Sequence, residues 1–110
     1  MKRVEAAIQR ELVRWIKETF PHVRMQATLN ENSRNQMDMG CEKGIPDLLL
    51  FLTVGDVCHV IFFELKRMKG RLSEDQKEWR KPAGTNTHYG LGYGLIESKE
   101  VLTKIIGELK

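Results

Sequence analysis

Along residues 3–20 the apolar positions Val4, Ile8, Leu12, Trp15, Ile16 and Phe20 recur at steps of three and four, and Pro21 follows. That spacing predicts an amphipathic helix with a proline stop. Residues 23–29, VRMQATL, alternate imperfectly and predict a first strand. The stretch 30–44, NENSRNQMDMGCEKG, is polar and rich in Asn and Gly, which predicts a long loop of the kind that often carries function. Two apolar runs, PDLLLFLT at 46–53 and VCHVIFFELK at 57–66, predict strands joined through Val54-Gly55-Asp56-Val57. Gly-Asp suits a two-residue hairpin turn because Gly supplies positive φ at the first central position. After a basic turn at 67–71, RMKGR, Ser73 is placed to cap a helix, and Gln76 three residues on completes a capping box. That helix should run to about Lys81, where Pro82-Ala83-Gly84 stops it. Residues 89–96, YGLGYGLI, predict a last strand, and Ser98 a cap for a final helix to about Leu109. The order α, β, β, β, α, β, α predicts an α/β sandwich built on a mixed sheet.

Composition narrows the class. A chain of 110 residues, 41% hydrophobic and 30% charged, fits one domain and one core over 1–110. No run reaches the apolar length of a membrane span. The start, MKRVEAAIQRE, lacks the apolar region of a secretory signal. Two cysteines, Cys41 and Cys58, supply neither a disulfide framework nor a zinc ligand set, so cytosol with free thiols is the expectation. The 18 Lys+Arg against 15 Asp+Glu, and a pI near 9.0, suit a polyanion partner without establishing one.

The informative residues are polar ones set inside apolar runs. Asp47 opens LLLFL, and Glu64 and Lys66 interrupt the end of VIFFELK. Charged groups in such places are paired or hold a metal. If Gly55-Asp56 is the turn, Val54 pairs with Val57. Counting outward then sets Asp47 directly opposite Glu64, and Ile45 opposite Lys66. Directly opposed residues have Cβ atoms about 4.5–5.5 Å apart. Two carboxylates that close repel unless one protonates or a cation lies between them. Two oxygen donors at that spacing suit Mg²⁺ completed by water and substrate phosphate. Lys66, on the Glu64 face of the same strand, can then hold a water or stabilise charge on a phosphate. The alternative is a structural triad, Asp47–Lys66–Glu64, at the sheet margin. Glu5 lies within about 40° of the centre of the first helix's apolar stripe, against about 80° for Glu11 and about 100° for Glu18. Glu5 therefore either meets a partner in the core or, as a first-turn acid, favours the helix dipole and turns outward.

Taken together, Ile45-Pro46-Asp47 followed by Glu64-Leu65-Lys66 after a hairpin resembles the PD-(D/E)XK nuclease superfamily. The continuation Gly70-Arg71-Leu72-Ser73 with Gln76 resembles, within it, the virus-type replication-repair nuclease domain, VRR-NUC. The resemblance runs from the Glu5 helix to the closing helix. It implies a restriction-endonuclease-like α-β-β-β-α-β core that hydrolyses DNA phosphodiesters with Mg²⁺ or Mn²⁺. It assigns Asp47 and Glu64 to the metal, Lys66 to catalysis, Glu5 to the family's N-terminal helix glutamate and Gln76 to a position near the site, with the Leu65 carbonyl as a further metal ligand. The implied reaction is metal-assisted hydrolysis without a covalent nucleophile. Stand-alone phage and bacterial members resemble Holliday junction resolvases and act as homodimers, whereas a multidomain eukaryotic relative is a flap nuclease of crosslink repair. This chain, carrying the nuclease domain alone, compares better with the former, in the cytoplasm of a bacterial or phage-infected cell. Flap cleavage, nicking, a non-catalytic binding module on the same fold, or a small protein with a structural triad and no DNA remain alternatives. One departure is the Gly-rich stretch TNTHYGLGYG, Thr85–Gly94, which leaves the start of the last strand open.

Other features are weighed against that pattern. Arg67, Lys69 and Arg71, with Lys77, Arg80 and Lys81 on the next helix, are placed for salt-dependent phosphate contacts or form a solvated face. Gln76 either completes the capping box alone or also serves the site. His22, His59 and His88 have no metal-ligand spacing, and His59 in a strand is expected to be structural. GLGYG does not follow a dinucleotide-fold order, so its glycines are expected in strand and loop. Trp15 and Trp79 are expected to pack in the core.

Overall fold

The computed structural model describes residues 3–28, 44–66, 71–81 and 84–110, with side chains from residue 6. Helix α1, Arg3–Thr19, follows from the three-and-four spacing of its apolar positions. Leu12 and Ile16 are fully buried along its inner stripe, and Phe20 closes the stripe just beyond the last turn. Trp15 meets Phe20 edge-on, with ring centroids 5.5 Å apart. Four strands follow the chain order β1 Arg24–Ala27, β2 Leu48–Val54, β3 Val57–Lys66 and β4 Thr87–Tyr93. Helix α2, Glu74–Arg80, connects β3 to β4, and α3, Gly94–Leu109, ends the fold. The sheet has spatial order β1-β2-β3-β4. Its first two pairings are antiparallel and the last, β3 with β4, is parallel. The mixed α/β architecture is the one anticipated.

Strand alternation divides the two faces of the sheet. Leu48, Leu50 and Leu52 of β2 and Ile61, Phe63 and Leu65 of β3 point to one face, where they meet Leu12, Ile16, Leu102 and Ile106 of α1 and α3. Truncating one such buried side chain to Ala costs about 2–5 kcal/mol. The opposite face carries Phe62, which meets Trp79 of α2 edge-on at 5.7 Å between centroids. Trp79 therefore packs on this face and not in the core where it was expected, on a helix none of whose residues is buried. Gly55, at φ 63°, makes the hairpin turn. Val54 pairs with Val57 and the ladder continues to Leu48 with Phe63, the register counted from the turn.

The sequence expectations fail chiefly at the C-terminal end. β4 spans Thr87–Tyr93, so it begins two residues before the expected strand and residues 94–96 belong to the helix. Gly94, at φ 79°, turns the chain from strand into helix with no intervening loop. Ser98 is not the cap. It lies within α3, fully buried, and its hydroxyl donates to the Gly94 carbonyl at 2.6 Å. The Tyr93 N–H at the helix start donates instead to the Glu97 carboxylate at 3.1 Å. The glycines of β4 explain why α3 lies so close. A Cβ on Gly92 would press on the Ser98 hydroxyl and come within 2.7 Å of the Ser98 Cα and 2.8 Å of the Phe63 ring. Helix α2 behaves as expected, with Ser73 and Gln76 forming a reciprocal capping box. The expected loop before Gly44, including Cys41, lies outside the described residues. So do Arg67–Gly70 of the basic turn and the Pro82-Ala83 of the stop.

Candidate active site

Asp47 immediately precedes Leu48, and Glu64 immediately follows Phe63, the residue paired with Leu48. The register therefore brings the two acids opposite one another at the open end of the hairpin, on the face away from the main core. Asp47 is fixed from both sides. Its carbonyl accepts the Thr28 N–H at 2.9 Å, and the Thr28 hydroxyl donates to the Pro46 carbonyl at 2.8 Å. Its carboxylate Oδ2 accepts the Leu65 N–H across the hairpin at 2.8 Å. Glu64 is only 2% exposed although its neighbours on the strand are apolar. Lys66, half-buried, lies two residues further on the same face. At this end of the sheet Leu91 and Tyr93 of β4 pair with Glu64 and Lys66, and Tyr89 pairs with Phe62.

Placing two like charges opposite each other beside an apolar surface is unfavourable in proportion to how poorly water reaches them. A divalent cation removes that conflict. The donors are hard oxygens, the set that suits Mg²⁺ or Mn²⁺ rather than zinc. The residues present thus fit such an ion. Among the described residues no three His, Cys, Asp or Glu side chains converge, so any further protein ligand to such an ion would be backbone oxygen or a side chain outside the described ones. The backbone of Glu5 lies in the first turns of α1, and its side chain is outside the described residues.

Tyr89 is the site residue that the sequence pattern did not single out. It stands diagonal to Glu64 on the neighbouring strand, and the Arg80 guanidinium lies 5.7 Å from its ring centre. Burial first, then the negative charge of Glu64, push its phenol up to about 12. Its hydroxyl is buried and has no hydrogen-bond partner among the described residues.

Helix α2 borders the acids through Gly44. At φ 77°, Gly44 packs so closely on the first turn of α2 that a Cβ would fall 2.5 Å from the Asp75 carbonyl carbon and 2.7 Å from the Gln76 nitrogen. Gln76 is thereby held against the segment leading into Asp47. Its Oε1 accepts the Ser73 N–H at 2.9 Å, so the capping role is realised. Arg71 and Arg80 are exposed, and Lys77 and Lys81 form exposed ion pairs with Glu74 and Glu78 at 3.4 and 2.9 Å. Such pairs hold little energy and exchange readily for phosphate. Arg67 and Lys69 fall outside the described residues.

Further along the acid face, toward the hairpin turn, an open depression of about 530 Å³ is lined by His22, Arg24, Gln26, Phe51, Thr53 and Cys58. Its Arg24 was not among the expected contacts, because an isolated cation in a short strand gives no pattern. On the opposite face His59 Nδ1 and His88 Nε2 lie 3.0 Å apart with ring centroids at 5.2 Å. The rings thus face each other nitrogen to nitrogen in one N–H···N bond. Burial first, and then His59, hold His88 below the usual histidine range.

A mixed sheet with opposed acids at the open end of its central hairpin, and a lysine beside them, is a nuclease-type arrangement. The VRR-NUC domain profile matches residues 4–82, and the chain belongs to that family. A solved structure described as a VRR_NUC domain protein superposes with a TM-score of 0.72 at 18% identity, covering 97% of this chain and 91% of that one. That likeness shows the fold. No curated protein matches the chain.

Proposed function

We propose that the protein is a Mg²⁺- or Mn²⁺-dependent DNA endonuclease that hydrolyses phosphodiesters in branched DNA. The observation that carries this reading is the opposed Asp47 and Glu64 at the open end of the β2–β3 hairpin, with Lys66 on the same face. Asp47 and Glu64, with the Leu65 carbonyl and Glu5, are the residues that would hold the ion. When bound there it would polarise the scissile phosphate and make water a better nucleophile. Lys66 orients the attacking water or offsets the charge that builds on the phosphate. The Leu65 N–H keeps the Asp47 carboxylate aligned, and Gln76 stays at the margin of the site. Arg67, Lys69, Arg71, Lys77 and Arg80 supply phosphate contacts that carry no sequence information. The branched substrate and a homodimer belong together, because a junction with two-fold symmetry is best met by a two-fold protein. No helix among the described residues is long and apolar enough to cross a membrane. The proposed location is the bacterial or phage-infected cytoplasm.

The test is incubation of four-way, flapped and nicked DNA with and without Mg²⁺. Cleavage should require the ion and should vanish in Asp47→Ala and Glu64→Ala, which remain folded because removing one of two opposed charges relieves repulsion. Lys66→Ala should lose about 10²-fold in turnover or more while keeping metal binding. Metal-independent cleavage, or full activity in either acid variant, would refute the assignment. Cutting of flaps or nicks alone would retain the site and replace the junction reading.

A further inference from the structure

The hydroxyl of Tyr89 is an unexplained polar group of the acid face. It is buried and makes no hydrogen bond among the described residues, although buried hydroxyls almost always find a partner. It comes from β4, whose parallel register sets Tyr89 beside Phe62 and one step diagonal to Glu64 on the same face. Its ring is held from the α2 side by the Arg80 guanidinium at 5.7 Å. A donor fixed in this way stands next to a carboxylate that is itself 2% exposed.

We infer that Tyr89 is a positioning residue: its hydroxyl donates to the Glu64 carboxylate when that carboxylate turns to hold the divalent cation, and it thereby fixes the ligand's orientation. Carboxylates that ligate metals are commonly hydrogen-bonded in turn, and loss of that outer bond weakens metal affinity or activity about 10–100-fold. Arg80, counted from the sequence as a phosphate contact, has a second role in this arrangement, because it braces the ring that supports Glu64.

The inference rests on the metal-site reading, and the experiment separates the two. Mn²⁺ is titrated calorimetrically into wild-type protein, Tyr89→Phe and Asp47→Ala, each freed of metal beforehand. Wild type should bind Mn²⁺ and Asp47→Ala should not. Tyr89→Phe should bind about 10–100-fold more weakly. Its metal-free melting temperature should not fall, since the substitution removes only an unpartnered oxygen. In cleavage assays its kcat should drop at fixed Mn²⁺ with KM for DNA unchanged, and excess Mn²⁺ should restore it. A Tyr89→Phe titration superimposable on wild type overturns the positioning role and leaves the site standing. A lowered metal-free melting temperature with unchanged affinity also overturns it, because the hydroxyl would then be structural. Absence of Mn²⁺ binding by wild type overturns the inference together with the reading it rests on.

Discussion

At the scale of single residues, the acid face and the helix-covered face of the sheet each hold a polar pair with a different solution to burial. In the proposed reading the opposed acids hold a cation, whereas His59 and His88 satisfy each other through one N–H···N bond. His88 sits below its ordinary value of 6.5. The unfolded chain therefore takes up protons below about pH 6.5 that the folded protein resists. Stability gained from this group is present above pH 6.5 and is lost as the pH falls. Urea midpoints should decline from pH 7.5 to 5.5 in wild type, and the decline should be shallower in His88→Gln. Of these two pairs, only the acids were legible in the sequence. Asp47 and Glu64 are tied by a hairpin whose two-residue turn fixes the count, so arithmetic reaches them. His59 and His88 meet across a parallel pairing that an intervening helix makes possible, and no count along the chain predicts it. Tyr89 escaped for the same reason.

Among the elements, legibility followed the strength of local signals. α1, the hairpin and α2 each combine periodicity with a punctuating residue, Pro21, Gly55 or Ser73. β4 and α3 meet with no loop, and the serine that resembles a cap is a buried packing residue. The signal that would have corrected this is the pair Gly90 and Gly92, alternating on one face of β4 where α3 must come close. Gly92→Ala should destabilise the protein by about 1–3 kcal/mol through overpacking. Adding Ser98→Gly should recover only part of the loss, because the Ser98 Cα still lies 2.7 Å from the new methyl. Chemical denaturation of the single and double variants measures both terms. Gly94 has open space around its Cβ direction, so its need for glycine is conformational and not steric.

For the whole molecule, the proposed reading sets requirements that no single element meets. Phosphate contacts spread over the β3–α2 connection and α2 should make DNA affinity fall steeply with salt. Neutralising Arg67, Lys69 and Arg71 together should reduce the slope of log Kd against log salt by about 2–3. An unchanged slope would put the DNA on another surface, of which the Arg24 depression is the first to try. The proposed dimer would draw on exposed apolar surface. Ile96, at the start of α3, is 76% exposed. Sedimentation at micromolar concentration should show a dimer, and Ile96→Lys should shift it toward monomer. A wild-type monomer, free and on four-way DNA, would favour nicking or flap cleavage over paired cuts.

The Leu65 amide bonded to Asp47 has a consequence for motion. The hairpin is closed by its turn at one end, and the two acids face each other at the other, where the last rungs must shut against their own repulsion. The Leu65 N–H to Asp47 contact, at 2.8 Å, and the Thr28 N–H to the Asp47 carbonyl, at 2.9 Å, are the last N–H bonds flanking β2 at this end. Those two hydrogens should exchange with solvent through local fraying, well before the amides of Leu50 or Ile61, which open only with the fold as a whole. A cation held between the acids would act as a clasp on this frayed edge. Mg²⁺ or Mn²⁺ should then slow deuterium uptake at Leu65 and Thr28 while leaving the inner rungs unchanged, and the slowing should be absent in Asp47→Ala.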